Sequence, residues 1–202
     1  MGTAGKAALR QQLLAARGSV AEDVRAAEAR SLAEHLALVA TDGNTVCAYV
    51  PVGAEPGSIE MLEVLRRRVR RVLLPVARTT ADDTPLPLRW GEYRPGGLVA
   101  GRFGLLEPAA PWLPASALTE ADLVLVPALA VDRRGVRLGR GRGFYDRSLV
   151  SCGPRARLVA VVRDQELVDE LPCERHDVAM THALTPGGGV VALHTAGMTR
   201  QM

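Results

Sequence analysis

Residues 123–130, LVLVPALA, are the most apolar run in the chain, and residues 131–147, VDRRGVRLGRGRGFYDR, follow it directly. A short apolar run bounded by turn-forming sequence is what a fully buried strand requires, so residues 122–131 read as a central strand that delivers a loop. That loop segment holds six arginines and four glycines in seventeen positions. Gly139, Gly141 and Gly143 alternate with Arg140 and Arg142. The backbone can therefore take left-handed angles and approach a ligand closely, while the guanidinium forks stay free for oxyanions. FYDRSLV, residues 144–150, reads as a helix, which places the loop amides at a helix N-terminus where the backbone dipole favours an anion. The chemistry this pattern suits is phosphate binding.

Two common phosphate loops are excluded by spacing. No Gly-Lys-Ser or Gly-Lys-Thr occurs, so there is no P-loop, and the glycines read G-x-G-x-G rather than the G-x-G-x-x-G of dinucleotide folds. The competing reading is a solvated, arginine-rich turn. Asp146, an acid among these arginines, is placed either to hold a metal or to orient one of them.

Around this loop the apolar strands 45–50, 71–76, 122–131 and 157–163 alternate with amphipathic segments. Such alternation predicts an α/β fold, a single three-layer α/β/α domain with a mainly parallel sheet, and no linker divides residues 1–202. The N-terminal helix starts near residue 3, with Leu9, Leu13 and Ala16 on its apolar stripe and Lys6 and Arg10 four apart on a neighbouring face. Two stacked cations repel unless an anion joins them; the alternative is an ordinary solvated face. Ser19 and Glu22 have capping-box spacing ahead of a second helix with Val24, Ala27, Leu32, Leu36 and Val39 as its stripe and His35 without a ligand-type partner. PVGAEPGS, residues 51–58, breaks the first strand at its carboxyl end, where ligands gather in open α/β sheets. Glu55 sits in this loop, and Ser58 caps the helix that follows. Residues 77–121 carry six of the thirteen prolines and read as a long functional loop with a short strand at LRWGEY, residues 88–93. Trp90 within it is either a stacking platform for a flat ring or a core aromatic. The tail after about residue 187 is glycine-rich and then weakly apolar, with no chemistry of its own.

The three cysteines, Cys47, Cys152 and Cys173, lack metal or disulfide spacing, which fits a reducing cytoplasm. No signal-like or membrane-length apolar stretch is present. A net charge of +3 over 25 basic and 22 acidic residues is too weak a field to argue for nucleic acid.

RLGRGRGFYDRSL, residues 137–149, closely resembles the signature of the 5-formyltetrahydrofolate cyclo-ligase family, R-x-G-x-G-x-G-Y-Y-D-R. Arg142 stands where glycine or lysine is frequent, and Phe144 replaces the first tyrosine. KAALR matches the family's N-terminal K-x-x-x-R at Lys6 and Arg10; EPGS matches its E-x-x-T/S segment at Glu55. GRFGLLEP (101–108) and PCERHDVAMTHALTP (172–186) resemble two further elements. The resemblance implies ATP- and Mg2+-dependent conversion of 5-formyltetrahydrofolate to 5,10-methenyltetrahydrofolate, with ADP and phosphate released. It assigns ATP binding to Lys6, Arg10, Arg137, Leu138, Gly139, Arg140, Gly141, Arg142, Gly143, Phe144 and Tyr145, with Arg140, Arg142 and Tyr145 as the catalytic set. Folate binding falls to Val50, Glu55, Trp90 and Tyr145, and magnesium to Asp146 and Asp177. His176 and His182 are read as structural, since phosphate-bound magnesium prefers oxygen. The expected partners are small molecules only, with neither nucleic acid nor membrane, for a cytoplasmic monomer or weak homodimer. A reading from a different class is a non-catalytic basic module whose RGRGF segment binds RNA or polyphosphate.

Overall fold

The computed structural model describes residues 3–174 and 177–194, so His176 lies outside the described residues. The chain opens with two helices, α1 (Thr3–Gly18) and α2 (Glu22–Val39). Strand β1 (Thr45–Cys47), helix α3 (Ile59–Arg66) and strand β2 (Arg71–Val76) then form a parallel β-α-β unit. The proline-rich segment contributes β3 (Arg89–Glu92) and a hairpin of β4 (Leu98–Ala100) and β5 (Leu106–Pro108). After these come β6 (Leu123–Pro127), β7 (Ala130–Asp132), β8 (Arg137–Leu138) and α4 (Phe144–Leu149). Strands β9 (Arg157–Val161), β10 (Leu167–Val168), β11 (His182–Thr185) and β12 (Gly189–Ala192) complete the described chain.

Seven strands make the main sheet in the order β12-β11-β9-β6-β1-β2-β3, parallel at its centre with antiparallel pairs at both edges. The central strands alternate between two cores. Val46, Val72, Leu74, Leu123, Leu125, Val159 and Val161 face Leu32 and Leu36 of α2 and Met61, Leu62 and Leu65 of α3. Cys47, Leu73, Val124, Val126, Leu158 and Ala160 face the other way, against Trp90, Leu118, Phe144 and Leu149. Helices cover both faces of a sheet whose central strands are buried on both sides, as the apolar runs predicted.

From β1 the chain steps outward through β2 to β3, then returns to lay β6 on the opposite side of β1 and continues to β9 and β11. The order therefore reverses between β1 and β6, the place where a crevice opens beyond the carboxyl ends of the strands.

Some local expectations are corrected. The apolar run at 122–131 is not one strand. Pro127, which has no N–H to donate to a ladder, ends β6, and β7 joins β8 and β10 in a separate three-stranded sheet. Helix α2 starts without a capping box, its N-cap being Ala21, while the Ser19 hydroxyl donates to Ala16 O at 2.8 Å and closes α1 instead. Its buried stripe is Ala29, Leu32, Ala33 and Leu36, and Val24 is exposed. Asp164–Glu166 forms a 3-10 turn that runs into β10. The glycine-rich segment pairs as β12 along β11. Ser58 does cap α3, accepting from Glu60 N at 3.2 Å, and His35 is structural, bonded to Pro186 O at 3.0 Å.

Candidate active site

A cavity of about 460 Å³ sits at the reversal point. Tyr49, Val50, Val52 and Glu55 enter from the loop after β1, Pro75 and Ala77 from the end of β2, and Pro127, Ala128 and Leu129 from the end of β6. Leu14 and Arg17 of α1 close one side. Phe103, Leu105 and Leu106 close another, and Arg137 with Gly139 through Asp146 forms the remaining wall. Most of this lining is apolar, with its charged groups gathered on two walls, the usual character of a small-molecule site. A walled apolar cavity is not the backbone-tracking groove that the nucleic-acid reading needs.

The glycine-arginine loop is carried by the β7–β8 hairpin, whose turn is organised by Asp132. That carboxylate is fully buried and accepts from Arg134 N and Val136 N at 2.9 Å each and from Leu171 N at 3.0 Å. Gly141 (φ +93°) and Gly143 (φ +76°) take the left-handed angles foreseen, so other residues there would be strained. Gly139 lies outside that region. What it provides is a close approach: an added Cβ would come within 2.5 Å of an Arg137 guanidinium nitrogen. Arg10 of α1 donates from Nε to Gly139 O at 2.9 Å and so fastens the loop to the first helix.

The loop arginines are held loosely. Arg140 Nε lies 3.0 Å from Glu55 Oε1, its side chain half exposed and that of Glu55 11% exposed. The other Glu55 oxygen accepts from Val52 N at 3.0 Å. Arg142 rests its guanidinium 3.9 Å from the centroid of the Phe103 ring, which in turn packs at 5.8 Å against Phe144. Arg137 is more buried; it bonds Pro127 O at 3.3 Å, lies over the Tyr145 ring at 5.8 Å and pairs with Asp146. The Tyr145 hydroxyl is buried against the cavity and has no partner among the described residues. Burial, and then the Glu55 carboxylate, push its pKa well above the ordinary tyrosine value despite Arg137, so it stays protonated as an unused donor.

The site therefore brings together Arg10, Val50, Glu55, Arg137, Gly139, Arg140, Gly141, Arg142, Gly143, Phe144, Tyr145 and Asp146. Four of the expected positions stand in other surroundings. Lys6 is not on a solvated face. It is 8% exposed and bridges Glu174 at 3.2 Å and Asp177 at 3.3 Å. Leu138 points into a small core with Leu129, Ala130, Val136 and Leu171, leaving only its backbone near the loop. Trp90 is 1% exposed within the main core, so it cannot stack on an arriving ring. Asp146 and Asp177 pair with different cations, Arg137 and Lys6, and Asp177 does not line the cavity. Among the described residues no group of three or more His, Cys, Asp or Glu side chains is placed to hold a metal.

Sequence reasoning missed Phe103, Tyr49 and Arg17. The last had a readable signal, because Lys6, Leu9, Leu13 and Arg17 recur at helical spacing on one stripe of α1. A charged residue in line with a buried stripe announces a buried partner.

Comparison with known proteins agrees with the geometry. The family model of the 5-formyltetrahydrofolate cyclo-ligase family matches residues 2–186. The chain belongs to that family. A 5-formyltetrahydrofolate cyclo-ligase of Mycolicibacterium smegmatis is 60% identical over 193 residues, covering 96% of this chain and 100% of the relative. The Escherichia coli K12 cyclo-ligase is 32% identical over 145 residues, covering 71% of this chain and 78% of its own. Among solved structures, the NMR structure of Aquifex aeolicus 5,10-methenyltetrahydrofolate synthetase superimposes with a TM-score of 0.70 at 24% identity, covering 98% of this chain and 96% of that one. At that identity the likeness establishes that this cyclo-ligase family member shares the fold.

Proposed function

We propose that this cyclo-ligase family member closes 5-formyltetrahydrofolate to 5,10-methenyltetrahydrofolate at the expense of ATP. The observation that carries the reading is one cavity with Glu55 on one wall and the Arg140, Arg142 and Tyr145 loop on the other. A formyl oxygen on N5 is a poor leaving group. Transfer of the γ-phosphoryl group to it forms a C–O–P linkage, breaks the bond to ADP and makes the carbon electrophilic. N10 then attacks that carbon, and phosphate departs with the oxygen. The protein supplies no nucleophile for this, so its work is positioning and charge stabilisation.

Glu55 suits the N–H edge of a pterin, because a carboxylate accepts two parallel hydrogen bonds. The apolar lining, Phe103 included, suits the ring itself. Arg140 and Arg142 are free to exchange their present partners for phosphate oxygens, with Arg10 steadying the loop through Gly139. Tyr145 offers its unused hydroxyl to the oxygen that accumulates charge.

Asp146 is the carboxylate that fits magnesium. It lines the cavity, its side chain is 33% exposed, and Mg2+ bound mainly by phosphates and water needs only one or two protein carboxylates. The ion would supply charge neutralisation between the phosphates. Asp177, held by Lys6, then acts on the site indirectly. A monomer or weak homodimer is the expected assembly, and no described helix is long and apolar enough to cross a membrane. The cysteine spacing is compatible with a reducing cytoplasm.

Purified protein given 5-formyltetrahydrofolate, ATP and magnesium is expected to form the methenyl product, followed by its ultraviolet absorbance, with one ADP per turnover. ATP consumption that proceeds equally fast without the folate would contradict the reading.

A further inference from the structure

Two walls of the cavity meet through buried charges. Arg17, at the end of α1 and 2% exposed, donates from Nε and Nη2 to the two Glu166 oxygens at 2.7 Å each, and from Nη2 to Ala128 O at 2.6 Å. Glu166 Oε2 also accepts from Arg163 N at 2.8 Å. The Arg163 side chain, 1% exposed, reaches Glu28 of α2 with Nε at 2.7 Å and Ala54 O with Nη1 at 3.2 Å. Ala54 immediately precedes Glu55. A chain of hydrogen bonds and covalent links thus runs from the helix carrying Lys6 and Arg10, through Glu166 and Arg163, to the Ala54 carbonyl, one residue before Glu55 of the opposite wall. Stability alone does not account for it, since well-packed apolar residues of similar size often hold such a place as firmly as a buried ion pair. What a fork-to-carboxylate contact adds is fixed geometry.

We propose that Arg17, Glu166 and Arg163 are positioning residues for the reaction proposed above, on which this inference rests. Arg163 sets the Ala54–Glu55 wall that meets the folate. Arg17 sets the first helix, and through Arg10 the phosphate loop. Glu166 is the joint between them.

Lysine substitutions separate this from a merely structural role, because one ammonium keeps the charge but cannot reproduce the divergent contacts of a guanidinium. Arg163→Lys is expected to raise the KM for 5-formyltetrahydrofolate about tenfold with the KM for ATP little changed, the scale of one lost charged hydrogen bond. Arg17→Lys is expected to do the reverse, and Glu166→Gln to raise both. Should a lysine variant not fold, the apolar pair Arg17→Met with Glu166→Met removes both charges together; it should fold and still bind ATP more weakly. Equal changes in both KM values in every folded variant, or wild-type kinetics in the apolar pair, would overturn the proposal. Wild-type turnover measured alongside keeps the two readings apart. Absent turnover overturns the assigned reaction and this inference with it, whereas turnover without the split overturns this inference alone.

Discussion

Two sets of arginines serve the same site from opposite surroundings. Arg17 and Arg163 are buried, with carboxylate and carbonyl partners fixed on separate elements. Arg140 is 49% exposed with a carboxylate partner across the cavity, and Arg142 lies on an aromatic ring at the rim. A guanidinium buried with its counterion cannot leave for a phosphate without stranding a carboxylate in low dielectric. A half-exposed one exchanges partners at little cost, because water screens both states. Counting arginines near a site therefore says little about its capacity for phosphate; their surroundings decide which of them are available.

The most severe way to break this comparison is Glu166→Ala, which strands Arg17 without its carboxylate. Losing one partner of a buried pair costs about 3–5 kcal/mol, a fall in Tm of roughly 6–20 °C for a domain of this size. Arg140→Ala is expected to leave the melting curve within about 0.5 kcal/mol of the parent, while kcat/KM for ATP falls about tenfold or more. Thermal melts and steady-state kinetics on both variants check this, and equal loss of stability in the two would erase the distinction.

The two cations of α1 sharpen the same point within a single helix. Lys6→Ala should lower stability by about 1.5–3 kcal/mol, because the buried ammonium serves Glu174 and Asp177. Arg10→Ala should leave stability nearly unchanged and raise the KM for ATP, since its contact is with the loop itself. Denaturant unfolding beside ATP kinetics separates them, and a parallel response would return both to one class.

Tyr145→Phe tests a neutral donor against the charged ones. Its buried hydroxyl has no partner among the described residues, and an unsatisfied buried group costs about 1–3 kcal/mol. The variant should therefore melt at the same temperature or higher while turnover drops about tenfold. Lower stability would mean that the hydroxyl has a partner in solution.

The smallest effect expected is at His182, a cation that the fold resists. Burial, and then Arg157, lower its pKa below the ordinary histidine value. A group depressed on folding contributes fully above its unfolded pKa, and that contribution is lost as pH falls through the folded value. Melting temperatures measured from pH 7 downward should decline less steeply in His182→Gln than in the parent.

What could be read from the sequence follows from how local each signal is. The apolar runs, the Ser58 cap and the left-handed glycines at positions 141 and 143 are set by neighbouring residues, and each appears where expected. The division of residues 122–131 between two sheets was hidden, because one apolar run serves either sheet equally well. Lys6, Arg17 and Glu166 find ion-pair partners 149 or more positions away; the helical period of α1 signals that Arg17 has a buried partner but not which residue that is. The different cation partners of Asp146 and Asp177 were illegible for the same reason: an acid beside an aromatic or a histidine looks alike in sequence whether it awaits a metal or already has a cation.

The most direct measurement is a structure with a non-hydrolysable ATP analogue and 5-formyltetrahydrofolate bound. The account predicts Arg140 and Arg142 on phosphate oxygens, Glu55 released from Arg140 and engaged with the pterin edge, and the Arg17–Glu166 contacts unchanged at 2.7 Å. Phosphates bound elsewhere with the Arg140–Glu55 pair intact, or Arg17 drawn off Glu166 onto a ligand, would contradict it.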